Sequence, residues 1–190
     1  MKICFATNNP NKLREIRDLL GKEYEILSLE DIGCHEELPE TRDTLEGNSE
    51  QKALYVYDNY GINCFADDTG LEVDALQGAP GVYSARFAGP QKDRLDNMRL
   101  LLSKLKDQSD RRARFRTVIT LVLAGEVHQF EGIAAGHITH EAFGEGGFGY
   151  DPIFVPEGSR QTFAQMDGQE KNRISHRGKA IQQLVAFFGK

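Results

Sequence analysis

The chain is poor in cysteine, has no long apolar run and carries no surplus of positive charge, and each shortage removes a class of protein. Its 3 cysteines, Cys4, Cys34 and Cys64, are odd in number, far apart and without any Cys-x-x-Cys spacing. That excludes a disulfide framework and a zinc site and points to a reducing compartment, so a cytoplasmic location is expected. No apolar run approaches the roughly 20 residues needed to cross a bilayer, so no membrane partner is expected. Residues 1–6 read as a strand and not as a secretory signal, being too short and lacking a cleavage site. With a net charge of −6 the surface offers no general attraction to a nucleic acid polymer. Repeats, linkers and low-complexity stretches are absent, as are a Gly-x-x-x-x-Gly-Lys phosphate loop and a Gly-x-Ser-x-Gly elbow.

What is present is enough for a real core. The 190 residues are 39% hydrophobic and 27% charged, which fits a single domain over 1–190, or one body with two lobes. Residues 2–6 suit a buried strand, and Leu13, Ile16 and Leu20 recur at helical spacing, predicting a helix from about Asn11 to Gly21. A second strand is expected over Tyr24–Leu29, then a helix over Thr44–Tyr60 with Ala53, Leu54 and Tyr57 on one face, ended by Gly61. Cys64–Ala66 reads as a short strand, residues 72–90 as loops, and Leu95, Met98, Leu102 and Leu105 as a third helix. Two β-rich runs, Ala113–Ala124 and Val127–Ala135, meet at a tight turn at Gly125-Glu126. Gly144 to Gly149 is too glycine-rich for regular structure. Ile153-Phe154-Val155 gives a last strand, and Ala180, Ile181, Leu184, Val185 and Phe188 mark a closing amphipathic helix. The pattern is that of an α/β protein with a mixed sheet and helices packed around it.

The most informative segment is Ala66-Asp67-Asp68-Thr69-Gly70-Leu71. Adjacent acids repel and resist burial, so a pair at a strand end is either a solvated turn or a cation site. Mg²⁺ takes such oxygen ligands, commonly one or two carboxylates beside substrate phosphates. Thr7-x-Asn9-x-x-Lys12 lies where the first strand meets the first helix, and could be a plain N-cap or an anion site. Glu40 follows the acids Glu36 and Glu37, which read as surface residues, and Lys52 projects from the next helix. Gly146-Gly147-Phe148-Gly149-Tyr150-Asp151-Pro152 could let backbone and an aromatic face approach a planar base, or be a glycine-rich turn with a core aromatic. Lys171-Asn172-Arg173-Ile174-Ser175-His176-Arg177-Gly178 gathers donors, with Ser175 also a natural N-cap. The arginines 111, 112, 114 and 116 read as a solvated face, although a local basic pocket would suit a small anion.

Taken together and in this order, these segments, with Glu40 through Lys52 and Gly81-Val82-Tyr83-Ser84-Ala85-Arg86, resemble the inosine triphosphate pyrophosphatase family, the Ham1-like pyrophosphatases of non-canonical purine nucleotides. The resemblance runs over nearly the whole chain. It implies an elongated, two-lobed α/β fold with a long mixed sheet, flanking helices and a central cleft, assembled as a homodimer. It implies Mg²⁺-dependent hydrolysis of ITP, dITP and XTP to the monophosphate and pyrophosphate. By position, Thr7, Asn8, Asn9, Pro10, Asn11 and Lys12 would grip the triphosphate, helped by Lys52. Asp68 would be the catalytic acid/base residue and a metal ligand, Glu40 the second ligand and Thr69 a substrate contact, with Asp67 the neighbour that could instead take the water's proton. Phe148, Gly149, Tyr150 and Asp151 would line the base pocket with Lys171, His176 and Arg177. Arg86 matches a position near the nucleotide. Gln165-Met166 and Tyr150 depart from Glu-Leu and tryptophan in relatives. A pyrophosphatase for modified pyrimidine nucleotides is the rival within the class, and a non-catalytic nucleotide sensor the rival outside it; such a sensor would tend to lack one of the acids at 40, 67 or 68.

Overall fold

Alternating burial along a few strands builds the fold, which a computed structural model describes for residues 2–189. The strands are β1 (Lys2–Phe5), β2 (Glu25–Leu27), β3 (Cys64–Val73), β4 (Pro80–Gly81), β5 (Arg112–Leu123), β6 (Glu126–Ile138) and β7 (Phe154–Pro156). The helices are α1 (Pro10–Leu20), α2 (Leu45–Tyr60), α3 (Arg94–Lys104), α4 (Gly168–Ile174) and α5 (His176–Phe188). Hydrogen bonding orders the strands β2-β1-β3-β5-β6-β7, with β4 added to β3. β1 runs parallel to β2 and β3, while β4 and β7 pair antiparallel with β3 and β6. The sheet is therefore mixed, as expected.

The chain forms two compact units, neither continuous in sequence. The first takes residues 2–68, Thr117–Gly132 and 177–189; the second takes Thr69–Arg116 and Ile133–His176. In the first, extended backbone sends successive side chains to opposite faces of the sheet. Ile3, Phe5, Phe65, Ile119 and Leu121 pack with Ile16 and Leu20 of α1 and with Ala180, Ile181 and Leu184 of α5. Cys4, Ala6, Cys64, Ala66 and Val122 turn the other way, onto Ala53 and Val56 of α2. Both faces are covered, which is why these strands read as nearly unbroken apolar runs. The second unit has its own core, in which Leu71 and Val73 of β3 meet Met98 and Leu101 of α3 and Phe154 and Phe163.

Several expectations are corrected. β3 is ten residues long and not three, so Asp67 and Asp68 lie inside a strand and not at its end. The hairpin of β5 and β6 turns at Ala124-Gly125, whose φ angles of 51° and 87° suit a two-residue connection. β2 is shorter than the Tyr24–Leu29 reading. Seven-residue α4 was not anticipated, being too short to show helical periodicity. The buried face of α2 is Leu45, Asn48, Ser49, Lys52, Ala53 and Val56, three of them polar, which hid it from an apolar pattern that pointed to Leu54 and Tyr57. The arginine group is occupied within its own unit. Arg111 donates to the carbonyls of Leu105, Ile138 and Thr139, Arg112 pairs with Asp110, and Arg114 pairs with Glu72.

Glu36 is more than a surface acid. Its Oε1 accepts the hydroxyls of Tyr60 at 2.8 Å and Tyr55 at 2.9 Å, fastening the loop before Glu40 to α2. Those donors, the Tyr60 hydroxyl foremost, hold its carboxyl down from an ordinary 4.5 to about 2. A depressed carboxylate stabilises the fold above its unfolded value, and that stabilisation disappears as pH falls through the folded value. Glu36→Gln is expected to melt below the wild type at neutral pH, with the gap closing as pH drops from 4.5 to about 2. Thermal melts across that window check it; a gap undiminished at the acid end would count against the tether.

Candidate active site

In the first unit the alternation of β3 separates the two acids. Asp67 shares the parity of Phe65 and so faces α1 and α5, whereas Asp68 shares the parity of Ala66 and faces α2. Asp67 has no exposed surface; Lys12 Nζ of α1 lies 2.9 Å from Oδ1 and Arg177 Nε of α5 lies 3.2 Å from Oδ2. Arg177 Nη1 also binds Glu15 of α1. Burial would raise the Asp67 carboxyl, but Lys12, Arg177 and Lys52 outweigh it and hold it below the usual range. Burial lowers Lys12, against the pull of Asp67. Asp67 is thus a fixed anion, a poor proton acceptor.

Asp68 has the opposite character. Its Oδ2 accepts from Asn48 Nδ2 at 3.1 Å, and its Oδ1 lies 3.9 Å from Lys52 Nζ, which itself stands 2.5 Å from Glu40 Oε1. Burial pushes the Asp68 carboxyl up; Lys52, Lys12 and Asn48 pull it down and Glu40 adds to the rise, for a net upward shift. Lys52 is raised despite its burial, because Asp68, Glu40 and Asp67 stabilise its charge. Thr69, next along β3, is half-buried and begins the second unit. Gly70 is explained by strand pairing, since a Cβ there would stand 2.6 Å from the Gly81 carbonyl oxygen of β4.

The Thr7–Lys12 loop is largely self-satisfied. Asn9 caps α1, its Oδ1 accepting from the N–H groups of Asn11 and Lys12, with Pro10 at the helix start. Thr7 Oγ1 accepts from the Asn9 N–H. Asn8 donates to the Glu36 carbonyl at 3.1 Å and accepts from the Leu38 N–H at 3.0 Å, so its amide clamps the loop that leads to Glu40. Of this segment, Lys12 brings the charge.

The second unit gathers the other sequence-derived residues. Asp151 Oδ2 accepts from the Phe148 N–H and from Lys171 Nζ, each at 2.8 Å. Gly147 has φ 65°, and a Cβ there would collide with the Asp151 carboxylate, so glycine lets this turn close. Gly149 has φ 58°. Lys171 Nζ sits 4.9 Å from the centre of the half-buried Phe148 ring. Tyr150 is a core residue whose hydroxyl donates to the Ser84 carbonyl at 2.8 Å, and Ser84 Oγ in turn accepts from the Leu71 N–H. The His176 ring stacks on Phe115 at 4.6 Å. The set therefore divides: Phe148, Asp151, Lys171 and His176 belong to the second unit, whereas Arg177 belongs with Asp67 and Glu15 in the first.

Sequence reasoning gave no role of their own to Asn48 and Ser84, which lie inside segments it quoted, and missed Glu15. Asn48 left a signal, a poor helix former on the same helical stripe as Leu45, Lys52 and Val56. Glu15 left none, because its partner lies 162 residues away.

Among the described residues, no cluster of three or more His, Cys, Asp or Glu side chains could hold a metal, and no helix is long and apolar enough to cross a membrane. The residues do fit a hard cation that shares its shell with phosphate oxygens: Glu40 and Asp68 offer two carboxylates beside one ammonium, and Mg²⁺ needs few protein ligands.

The chain is similar to known proteins along its length. The family model described as the Ham1 family matches residues 3–187. The dITP/XTP pyrophosphatase of Flavobacterium johnsoniae is 57% identical over 185 residues, spanning 97% of this chain and 96% of that one. The dITP/XTP pyrophosphatase of Flavobacterium psychrophilum is 55% identical over 188 residues, spanning 99% of each. The solved structure of the Staphylococcus aureus Ham1 protein superposes with a TM-score of 0.90 at 37% identity, covering 100% of this chain and 98% of that one. By family match, by relatives matched end to end and by fold, the chain belongs to the Ham1 family.

Proposed function

We propose that the protein hydrolyses non-canonical purine nucleoside triphosphates, ITP, dITP and XTP, to the monophosphate and pyrophosphate with Mg²⁺. One observation carries the reading. On the α2 face of β3, Glu40 and Asp68 share the single ammonium of Lys52, whereas on the other face Lys12 and Arg177 balance Asp67 and Glu15. The groups named on the α2 face carry one negative charge in excess, which favours a cation there. Names of relatives matched end to end support the same chemistry.

In the reaction, water adds across the anhydride linking the α- and β-phosphates, and one proton leaves. Asp68, on the α2 face of β3 between Asn48 and Lys52, takes that proton. Glu40 and Asp68 would hold Mg²⁺, which when bound neutralises phosphate charge and polarises the scissile linkage. Lys12, whose side chain keeps 14% exposure against 2% for Arg177, is the cation of its cluster able to reach the triphosphate. The Thr7, Asn8, Asn9, Pro10 and Asn11 loop presents it, Lys52 contributes a second ammonium and Thr69 a hydroxyl. Phe148, Gly149 and Asp151 take the base with Lys171 and His176, and Tyr150 supports them from the core of their unit; Arg177 instead holds Asp67 in place beside Lys12. Lys171 has donors only, so a 6-keto oxygen matches it and a 6-amino group opposes it. Buried thiols without disulfides suit a cytoplasmic enzyme, and the family resemblance implies a homodimer.

Incubation with ITP, XTP, dTTP, ATP and GTP plus Mg²⁺, with pyrophosphate resolved from orthophosphate, tests the reading. ITP and XTP should yield pyrophosphate, and release of orthophosphate alone would refute the cleavage position. Asp68→Asn is expected to bind nucleotide while turnover falls roughly 10²–10⁴-fold, checked by single-turnover kinetics. An active variant removes Asp68 as the base. Lys12→Ala should raise KM for ITP about tenfold or more and cost roughly 3 kcal/mol of stability, because Asp67 then keeps one fewer counter-charge. Steady-state kinetics and denaturant unfolding measure both, and an unchanged KM argues against a phosphate contact.

A further inference from the structure

Asn48 sits in the first turns of α2 with 1% exposure. Asparagine is a poor helix former, and a buried amide must find partners outside the helical ladder. Both of its ends do. Nδ2 donates to Asp68 Oδ2 at 3.1 Å, and Oδ1 accepts from the Arg42 N–H at 2.9 Å. Arg42 lies two residues beyond Glu40. The residues from 40 to 42 are in fact read one after another by α2. Lys52 binds the Glu40 carboxylate at 2.5 Å, Gln51 exchanges two 2.9 Å bonds with Thr41, and Asn48 takes Arg42. Gly47 permits this approach, since a Cβ there would stand 2.8 Å from Arg42 Cβ.

We propose that Asn48 is a positioning residue: its one planar amide couples the Asp68 carboxylate to the Glu40 loop and so sets the affinity of those two acids for a divalent cation. The proposal rests on the reading that Glu40 and Asp68 hold the metal. Asn48 touches the carboxylate oxygen opposite the one nearest Lys52, so it orients Asp68 while leaving Oδ1 turned toward Lys52. A neutral amide suits this place. A cationic residue would cancel the charge that attracts the metal, an aspartate would put a carboxylate where a donor is needed, and a hydroxyl would be too short to span both partners. Outer partners of metal ligands typically contribute 10–100-fold to metal affinity or activity.

The test uses the full chain as wild type, Asn48→Ala, Asn48→Leu and, as control, Asn59→Ala, whose exposed amide bonds only the Tyr55 carbonyl among the contacts described. Mn²⁺ binding without nucleotide is measured by loss of the free-ion electron paramagnetic resonance signal, alongside the Mg²⁺ dependence of ITP hydrolysis and thermal unfolding. Both Asn48 variants are expected to fold and to bind Mn²⁺ about 10–100-fold more weakly, with half-activation by Mg²⁺ moved to match. At saturating Mg²⁺ their KM for ITP stays near the wild-type value, and Asn59→Ala behaves as wild type. If Asn48→Ala unfolds, Asn48→Leu, which retains the volume, decides; unfolding of both makes Asn48 a folding residue and overturns the proposal. Wild-type Mn²⁺ affinity in a folded Asn48 variant also overturns it, while leaving the enzyme reading intact. A wild type that hydrolyses nothing and holds no Mn²⁺ ends both together.

Discussion

A carboxylate with no accessible surface is the constraint on which the first unit depends. Burying an isolated Asp67 would cost far more than a domain can spare, so two cations must meet it, Lys12 from α1 and Arg177 from α5. Arg177, itself nearly inaccessible, then needs Glu15. Four groups on three elements therefore fix one another. Breaking any one leaves an uncompensated charge in an apolar setting, which explains why α1 and α5 lie on the same face of β3 as Phe65. The hydrophobic contacts supply cohesion, and the ion network specifies which residues lie opposite which.

Strand parity then turns two identical neighbours into different reagents. Asp67 is saturated by cations and held as a permanent anion. Asp68, one residue on, meets an amide, a shared ammonium and another carboxylate, and its carboxyl rises. No difference in residue type is required. The distinction comes from the period of two in an extended chain and from which helix covers each face. α2 carries polar residues on its buried stripe for the same reason: Asn48 and Lys52 occupy core positions because Asp68 and Glu40 are there to receive them.

Much of this was legible in the sequence. Helices α1, α2, α3 and α5 and most strands followed from hydrophobic spacing, and the chemistry-bearing segments stood out as clusters of acids and donors. What could not be read was geometry that periodicity hides. β3 looked three residues long because two acids interrupt its apolar run, and strand propensity does not foresee ions that neutralise them from other elements. Arg177 followed His176 in the sequence and seemed to share its role, yet it binds Asp67 and Glu15 while His176 stacks on Phe115. Tyr150 read equally well as a stacking face or a core aromatic, and only its hydroxyl bond to the Ser84 carbonyl distinguishes them.

The discontinuity of the first unit bears on how the chain is made. Arg177 lies 110 residues beyond Asp67, with all of the second unit's sequence between them. At about 5–20 residues per second, a ribosome delivers the arginine roughly 5–20 s after the aspartate. Through that interval Lys12 is available but its co-neutralising partner is still untranslated, and β3 cannot yet be enclosed at low cost. Vectorial synthesis thus leaves β3 waiting for α5, and the Asp67 carboxylate keeps its water until Arg177 has been made.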